Sequence, residues 1–308
     1  MLTSFFRKSG PLNFLIVSLY LLLFATLWFF IEKGSDFQLL ELGETAITAL
    51  LLVFSLFLLD FIVRKNGLAQ INAFTILLFA SLVCFFPDVF SEIKMVGAQV
   101  CLLFAMRRIF SLQSLKNNER KILDASLWIA IATFLYPPSI IMLLGLQWAI
   151  FIMPITKLRF FFIPLVGLLA VILIAMAAHL LIEDNFAWLS DLFKTPSLDF
   201  STYGRKTSLI GVAFITGSLI WALFNRMGVL SRIQKKERPN YMLVVVLLLV
   251  CLVIILGSEA KNTAEFLFAF APMAIILANY VEHDSEKWFK EILLWVFLLL
   301  PFLRFFIS

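Results

Sequence analysis

The sequence predicts an all-α fold: a polytopic bundle of about eleven transmembrane helices forming a single integral membrane domain over residues 1–308. Two observations predict it. Of the 308 residues, 62% are hydrophobic and only 15% charged, whereas a soluble domain carries about a quarter charged residues. The apolar residues also come in runs, most of them about long enough to cross a hydrocarbon core of ~30 Å. Within lipid the backbone has to satisfy its own polar groups, which makes the runs helices. The strands of a membrane barrel would instead alternate over ~10 residues.

The expected spans lie at 12–31, 45–63, 69–87, 94–107, 122–137, 139–155, 160–182, 209–225, 241–257, 264–281 and 291–307. The first follows a basic flank, yet it is longer than the apolar core of a secretory signal and lacks a small-residue cleavage site, so it reads as a retained anchor. The runs at 94–107 and 139–155 are short, as in tilted or partly re-entrant helices. Pro137 and Pro138 mark a turn, since neither continues a helix. Two outer loops predict short interfacial helices. In 32–44, EKGSDFQLLELGE, Ser35 and Gln38 fit a capping box, with Phe37 and Leu40 facing lipid. In 183–208, Phe186, Leu189, Leu192 and Phe193 share a helical face near Trp188, behind Asp184 or Asn185 as N-cap. Cys84, Cys101 and Cys251 fall inside apolar runs at no metal-ligand spacing, which predicts neither a disulfide nor a metal site.

Lys and Arg set the orientation. With the N-terminus inside, the inner loops collect Arg7, Lys8, Arg64, Lys65, the five cations of 107–121, Lys157, Arg159, the five of 226–238, Lys287 and Lys290, eighteen of the 25 in the chain. Twelve of the 20 acids fall outside, among them Glu32, Asp36, Glu41, Glu44, Asp88, Glu92 and Glu265. This predicts a cytoplasmic N-terminus and a periplasmic C-terminus. The net charge of +5 is then a topology signal and implies no nucleic-acid partner.

Soluble-enzyme motifs are missing: no phosphate-binding loop, no nucleophile elbow, no H-E-x-x-H. His179 and His283, the two histidines, fall on opposite faces, too few for a membrane di-iron centre. Asp60 has Arg64 four residues on, and Asp124 has Arg120 and Lys121 nearby, spacings that predict local ion pairs at headgroup level. Asn72, Thr75, Gln99 and Gln147 lie within spans, where they join helices by hydrogen bonds. Deep ionisable residues, the mark of a proton-coupled carrier, are scarce. The outer face keeps Asp36, Glu41, Glu44, Arg205, Lys206 and the pair Lys261 and Glu265, along with Tyr136, Trp188 and Tyr203. Carboxylates beside fixed cations at a membrane edge suit lipid-phosphate chemistry: the cation holds the phosphate, and the carboxylate takes a proton from an acceptor or binds a divalent cation. The same acids also serve simply to hydrate a loop.

The stretches LLDFIVRKNGLAQINAF (58–74), AMRRIFSLQSLKNNERKILDASLWIAIATFLYPP (105–138) and KNTAEFLFAFAPMAIILANYVE (261–282) resemble an uncharacterised family of flavobacterial and related Bacteroidota inner-membrane proteins, which implies a Gram-negative inner membrane. A more distant resemblance is to the GT-C superfamily of membrane glycosyltransferases. There a first helix is followed by an outer loop bearing a catalytic acid, and a late helix opens on a basic residue, an aromatic and a proline. Here the 32–44 loop is similar in place, and Lys261, Phe266 and Pro272 are similar to the late pattern. The resemblance implies a polyprenyl-phosphate-linked sugar as substrate, Asp36, Glu41 or Glu44 as catalytic acids, and Arg205, Lys206 and Lys261 as phosphate contacts. No cofactor is implied beyond a divalent cation. The paired acids usual in that superfamily are absent, and its late Arg is Lys here. Three readings follow: a GT-C-like transferase; a non-enzymatic scaffold or accessory subunit of an envelope assembly machine, with a membrane-protein partner; and a transporter or flippase of a hydrophobic substrate.

Overall fold

A computed structural model of the chain describes residues 2–34, 38–114, 116–153, 157–183, 196, 197, 199, 201–204, 206–229, 233, 235, 237–259, 261–282 and 287–307. Among these residues there is no strand. Twelve helices carry the architecture: α1 (Leu2–Phe6), α2 (Pro11–Lys33), α3 (Leu39–Asn66), α4 (Phe74–Phe85), α5 (Ile93–Ser111), α6 (Asn118–Leu135), α7 (Met142–Phe151), α8 (Leu158–Glu183), α9 (Lys206–Val229), α10 (Arg238–Leu256), α11 (Leu267–Glu282) and α12 (Lys287–Leu299). Local chemistry sets several boundaries. Pro11 starts α2 at a position that lacks an amide partner anyway. Gly67, at φ +60°, ends α3 in the left-handed conformation that glycine adopts without strain, behind Arg64 and Lys65 in its last turn.

Seven described helices are long and apolar enough to cross a membrane: Pro11–Glu32, Leu39–Asn66, Ile93–Ser114, Leu158–Ile182, Leu209–Gly228, Arg238–Leu256 and Ala264–Glu282. The other four expected segments are helical too, but each departs from a uniform span. α4 has 12 residues. The chain after Tyr136 makes a 3-10 turn at Pro137–Ile141 before α7. α6 carries Glu119, Arg120, Lys121 and Asp124 near its start. α12 gives way to a 3-10 turn containing Pro301. The stretch at 94–107, expected to be short, is instead the core of the 19-residue α5.

The centre of the bundle is α4 against α11. Every residue of α4 is buried, as is nearly all of α11. A helix apolar on all sides belongs inside other protein, where a one-sided helix would not. Around this pair stand α2, α3, α5, α9, α10 and α12. Phe86 stacks between Phe266 at 4.9 Å and Phe270 at 5.8 Å, tying the end of α4 to the start of α11. α8 is peripheral and packs chiefly on α6. Gly167 of α8 lets Ser126 of α6 come so close that a Cβ on Gly167 would lie 2.0 Å from the Ser126 Oγ, the small-residue contact by which membrane helices approach.

Long-range contacts gather at the two ends of the bundle. At one end Ala73 N–H donates to the Phe6 carbonyl (2.9 Å), and Glu291 accepts from the amides of Leu2 and Thr3. There Glu282 accepts from Asn72 Nδ2 (2.7 Å), and Arg226 lies 3.5 Å from the Tyr241 ring centre and bonds Asn279. Arg107 lies over Phe61, Arg108 pairs with Asp124 at 2.8 Å, and Arg159 pairs with Glu119. Among the described residues, this basic end joins parts of each stretch expected to be inside. The opposite, acidic end joins Asp88, Glu92, Tyr136, Ser197, Tyr203, the 257–266 connection and Arg304.

Two expected pairings come out differently. Asp60 does pair with Arg64, at 2.6 Å. Asp124 reaches across to Arg108 on the neighbouring α5, because Lys121 is turned the other way, onto the Ser111 carbonyl (2.7 Å) and Ser114 Oγ (2.6 Å). Gln147 joins α7 to α8 through the Phe161 carbonyl (3.1 Å), as expected of a polar residue in a span. Gln99, fully buried, has no hydrogen-bond partner among the described residues.

Candidate functional site

The acidic end is built on the connection between α10 and α11. α10 ends at Leu256, and its last carbonyls have no helical amide to accept from. Lys261 folds back over them: its Nζ donates to the carbonyls of Ile255 (2.7 Å) and Leu256 (3.0 Å). A buried cation at the negative end of a helix dipole is well placed, and Lys261 is only 5% exposed. Burial lowers its pKa, and the nearby Glu265 carboxylate works in the other direction.

Thr263 follows at φ +74° and ψ −18°, a region a β-branched residue rarely occupies and one that costs on the order of 1–3 kcal/mol. Its Oγ1 donates to Asp88 Oδ2 at 2.7 Å. Asp88 Oδ1 meets the guanidinium of Arg304 at 3.3 Å. Asn262 Nδ2 donates to Glu92 Oε1 at 2.7 Å, while its own Oδ1 accepts from the Ala264 amide at 3.2 Å. The 257–266 connection is thereby pinned to the 3-10 turn Pro87–Ser91, and the C-terminal segment is pinned with it. Burial, with the Asp88 charge adding to it, raises the Glu92 carboxyl above its usual range, opposed by the Asn262 bond and Lys94.

Glu265 has no exposed surface. Its Oε1 accepts from the Tyr203 hydroxyl, and its Oε2 has no hydrogen-bond partner among the described residues. Burial and this carboxylate push the Tyr203 hydroxyl well above its ordinary pKa. The Tyr203 ring lies 5.5 Å from Phe266, and Tyr136 stacks on Phe268 at 4.7 Å. The Tyr136 hydroxyl is buried and lies within electrostatic reach of Glu265, Glu259 and Glu92.

Of the residues expected to form a site, Glu41, Glu44 and Lys261 are described with their side chains. Glu41 lies in the first turn of α3, where a carboxylate complements the helix N-terminus, and Glu44 stands one turn further on, exposed, its carbonyl accepting from Thr48 Oγ1 (2.8 Å). From Leu39 onward the 32–44 stretch is therefore part of the long spanning helix, and Ser35 and Phe37 of the expected interfacial helix lie outside the described residues. Asp36 and Arg205 lie outside the described residues, as does most of the helix expected within 183–208; Lys206 opens α9. Lys261 is present at the acidic end, but as the cap of α10. The residues that do come together are Asp88, Glu92, Asn262, Thr263, Glu265, Tyr203 and Arg304. Sequence reasoning gave Asn262, Thr263 and Arg304 no role. Arg304 did carry a signal: it is a cation at the outer end of an apolar run, against the prevailing charge bias. Among the described residues no group of three or more His, Cys, Asp or Glu side chains is placed to hold a metal ion.

An all-helical bundle with seven helices fit to span a bilayer, sealed at one end by a buried polar cluster, is a multi-pass membrane protein. The chain belongs to the family of unknown function DUF6427, whose model matches residues 8–307. No curated protein and no solved structure matches it.

Proposed function

We propose that the protein is a non-catalytic integral component of a Gram-negative inner membrane, with the basic end in the cytoplasm, the acidic end in the periplasm, and eleven crossings between them. Contacts among the described residues support the crossings: Asn72, Arg108 and Arg159 join the basic end, Glu92, Tyr136 and Asn262 join the acidic end, and Arg304 ties to Asp88 at the end away from Leu2 and Thr3. The charge bias supports the sidedness.

One observation carries the non-catalytic reading. Charged side chains of the acidic end are used to hold the chain to itself: Lys261 caps α10, Asp88 binds Thr263 and Arg304, Glu92 binds Asn262, and Glu265 binds Tyr203. Such a chain suits the scaffold or accessory role in an envelope assembly, with a membrane-protein partner and surrounding lipid as its contacts.

A transferase acting on a polyprenyl-phosphate-linked sugar is favoured by a different feature, the buried Glu265 carboxylate whose Oε2 has no partner among the described residues. A carboxylate so placed beside Tyr203 and Lys261 is able to take a proton from an acceptor hydroxyl, with or without a divalent cation. Glu265→Gln separates the two readings, because it keeps an acceptor for Tyr203 and removes the base. In a deletion strain complemented with this variant, at matched membrane levels, the non-catalytic reading expects full rescue of the envelope phenotype. A folded, normally abundant Glu265→Gln protein that fails to rescue would establish the transferase reading in its place.

A further inference from the structure

Toward the basic end, α2 and α3 part to leave a groove of about 570 Å3. Its walls are apolar: Phe14 and Leu19 of α2 stand against Val53 and Phe57 of α3, with Ser18 among them. Leu19 and Phe57 are exposed, so the groove opens on lipid. The Phe14 and Phe57 rings stack at 5.5 Å and join the two helices there. Asp60 lines the groove nearest the basic end, and its charge is already matched. Arg64 pairs with it at 2.6 Å, donates to Ser9 Oγ and lies 5.4 Å from the Phe14 ring centre.

A cluster of like charges stands beside this mouth. Phe61 lies one turn beyond Phe57 on α3, and two cations converge on its ring, Lys65 Nζ at 5.2 Å and the guanidinium of Arg107, from α5, at 4.8 Å. Neither makes an ion pair among the described residues. Lys121 adds a third positive charge within electrostatic reach of Lys65 and Arg108. The acid on that side, Asp124, is held by Arg108 at 2.8 Å. Like charges gathered this closely repel, and contact with an aromatic ring near the surface offsets only a small part of that. What completes the cluster is an anion at headgroup level.

We propose that the groove and the cluster together bind one anionic phospholipid of the adjoining leaflet, with an acyl chain between α2 and α3 and the phosphate between Lys65 and Arg107. Volume selects a flexible chain over a partner helix. The groove holds about one turn of a helix 10–12 Å across, too little to seat a spanning segment. Charge selects the headgroup: the two cations lack a carboxylate, and an anionic lipid supplies the net negative charge that a zwitterionic one does not. Arg64 offsets the Asp60 carboxylate, which would otherwise repel the phosphate. The site lies at the end of the molecule opposite the Glu265 cluster and stands whichever reading of that cluster is right.

The test uses the purified full-length protein in a neutral detergent and follows its thermal midpoint as phosphatidylglycerol, phosphatidylcholine or sn-glycerol 3-phosphate is added. Wild type is expected to show a saturable rise with phosphatidylglycerol alone, since phosphatidylcholine lacks the net charge and glycerol 3-phosphate lacks the chain. In a Lys65→Gln, Arg107→Gln double variant the half-saturating concentration should increase roughly thirtyfold, the effect expected of two headgroup-level cations. Ser18→Phe fills the groove, leaves every charge in place and should abolish the rise. A control double variant, Arg120→Gln with Lys235→Gln, loses the same charge elsewhere at the basic end and should respond as wild type does. The midpoints without lipid check that each variant is folded. An equal rise with phosphatidylcholine or glycerol 3-phosphate overturns the proposal, as does an undiminished response in Ser18→Phe. So does an unchanged response in the Lys65→Gln, Arg107→Gln protein, or equal weakening in the control, since either means diffuse attraction of lipid to a basic surface.

Discussion

Thr263 holds a strained backbone and a hydrogen bond to a carboxylate at the same time. Thr263→Ala keeps the strain and deletes the bond to Asp88, so it should cost about 1.5–3 kcal/mol, the usual value of a hydrogen bond to a charged group. Equilibrium unfolding in mixed micelles measures it, and a loss below ~0.5 kcal/mol would mean the bond carries little of the latch. Glu92 gives a pH dependence. Its carboxyl is raised above the ordinary 4.5 by burial and by Asp88, so it is harder to ionise folded than unfolded. The stability it contributes is complete below the ordinary value and is lost as the pH rises through the raised one. Glu92→Gln keeps an acceptor for Asn262 and removes the ionisation. It should be more stable than wild type at neutral pH, and the gap should close as the pH falls below about 4.5. A gap that widens on acidification would reverse the assignment. Little of this was legible in the sequence. Asp88 and Arg304 are 216 residues apart, and Glu92 and Asn262 are 170 apart, so no local spacing announces either bond. Lys261 and Glu265 were visible as an i, i+4 pair, but the orphan carbonyls of α10 claim the lysine.

At the scale of elements, apolar run length located the helices well and ranked them poorly. The run at 69–87 reads as one span, yet the helix within it is the 12-residue α4, because Asn72 binds Glu282 and the Phe74 amide at its start and Pro87 begins a 3-10 turn at its end. Being enclosed on all sides, α4 needs less length than a helix that meets lipid. The reverse holds for α8, a long apolar helix that meets α6 at a close approach. Gly167→Ala would set a methyl 2.0 Å from Ser126 Oγ and 2.9 Å from its Cβ, so α8 must shift outward, at a cost of about 1–3 kcal/mol. Ser126→Gly in the same chain removes both obstructing atoms and should restore the thermal midpoint, less the small cost of a helical glycine. If the double variant is no more stable than Gly167→Ala, α6 and α8 do not meet at this pair.

Over the whole molecule, the charge pattern was the most legible feature. The cations assigned to inner loops by simple alternation, where described, fall at one end of the bundle, and Asp88, Glu92, Glu259 and Glu265 gather at the other. Charge bias is a collective property of many loops and survives errors at individual helix ends. The arrangement of a site does not, because it depends on which loops meet. The expected set of Asp36, Glu41, Glu44, Arg205, Lys206 and Lys261 was chosen by position along the chain. What the fold assembles at that end is the latch between the Pro87–Ser91 turn, the 257–266 connection and Arg304.

The proposed function rests on the sidedness of the bundle, with the acidic end outside, and one measurement tests it directly. Single cysteines introduced by Lys116→Cys and Lys235→Cys at the basic end, and by Asp199→Cys at the acidic end, are probed in intact cells with a membrane-impermeant thiol reagent; the three native cysteines are buried. The account predicts labelling of the Asp199→Cys protein in intact cells, and of the Lys116→Cys and Lys235→Cys proteins only after lysis. Labelling of Lys116→Cys or Lys235→Cys in intact cells would contradict it.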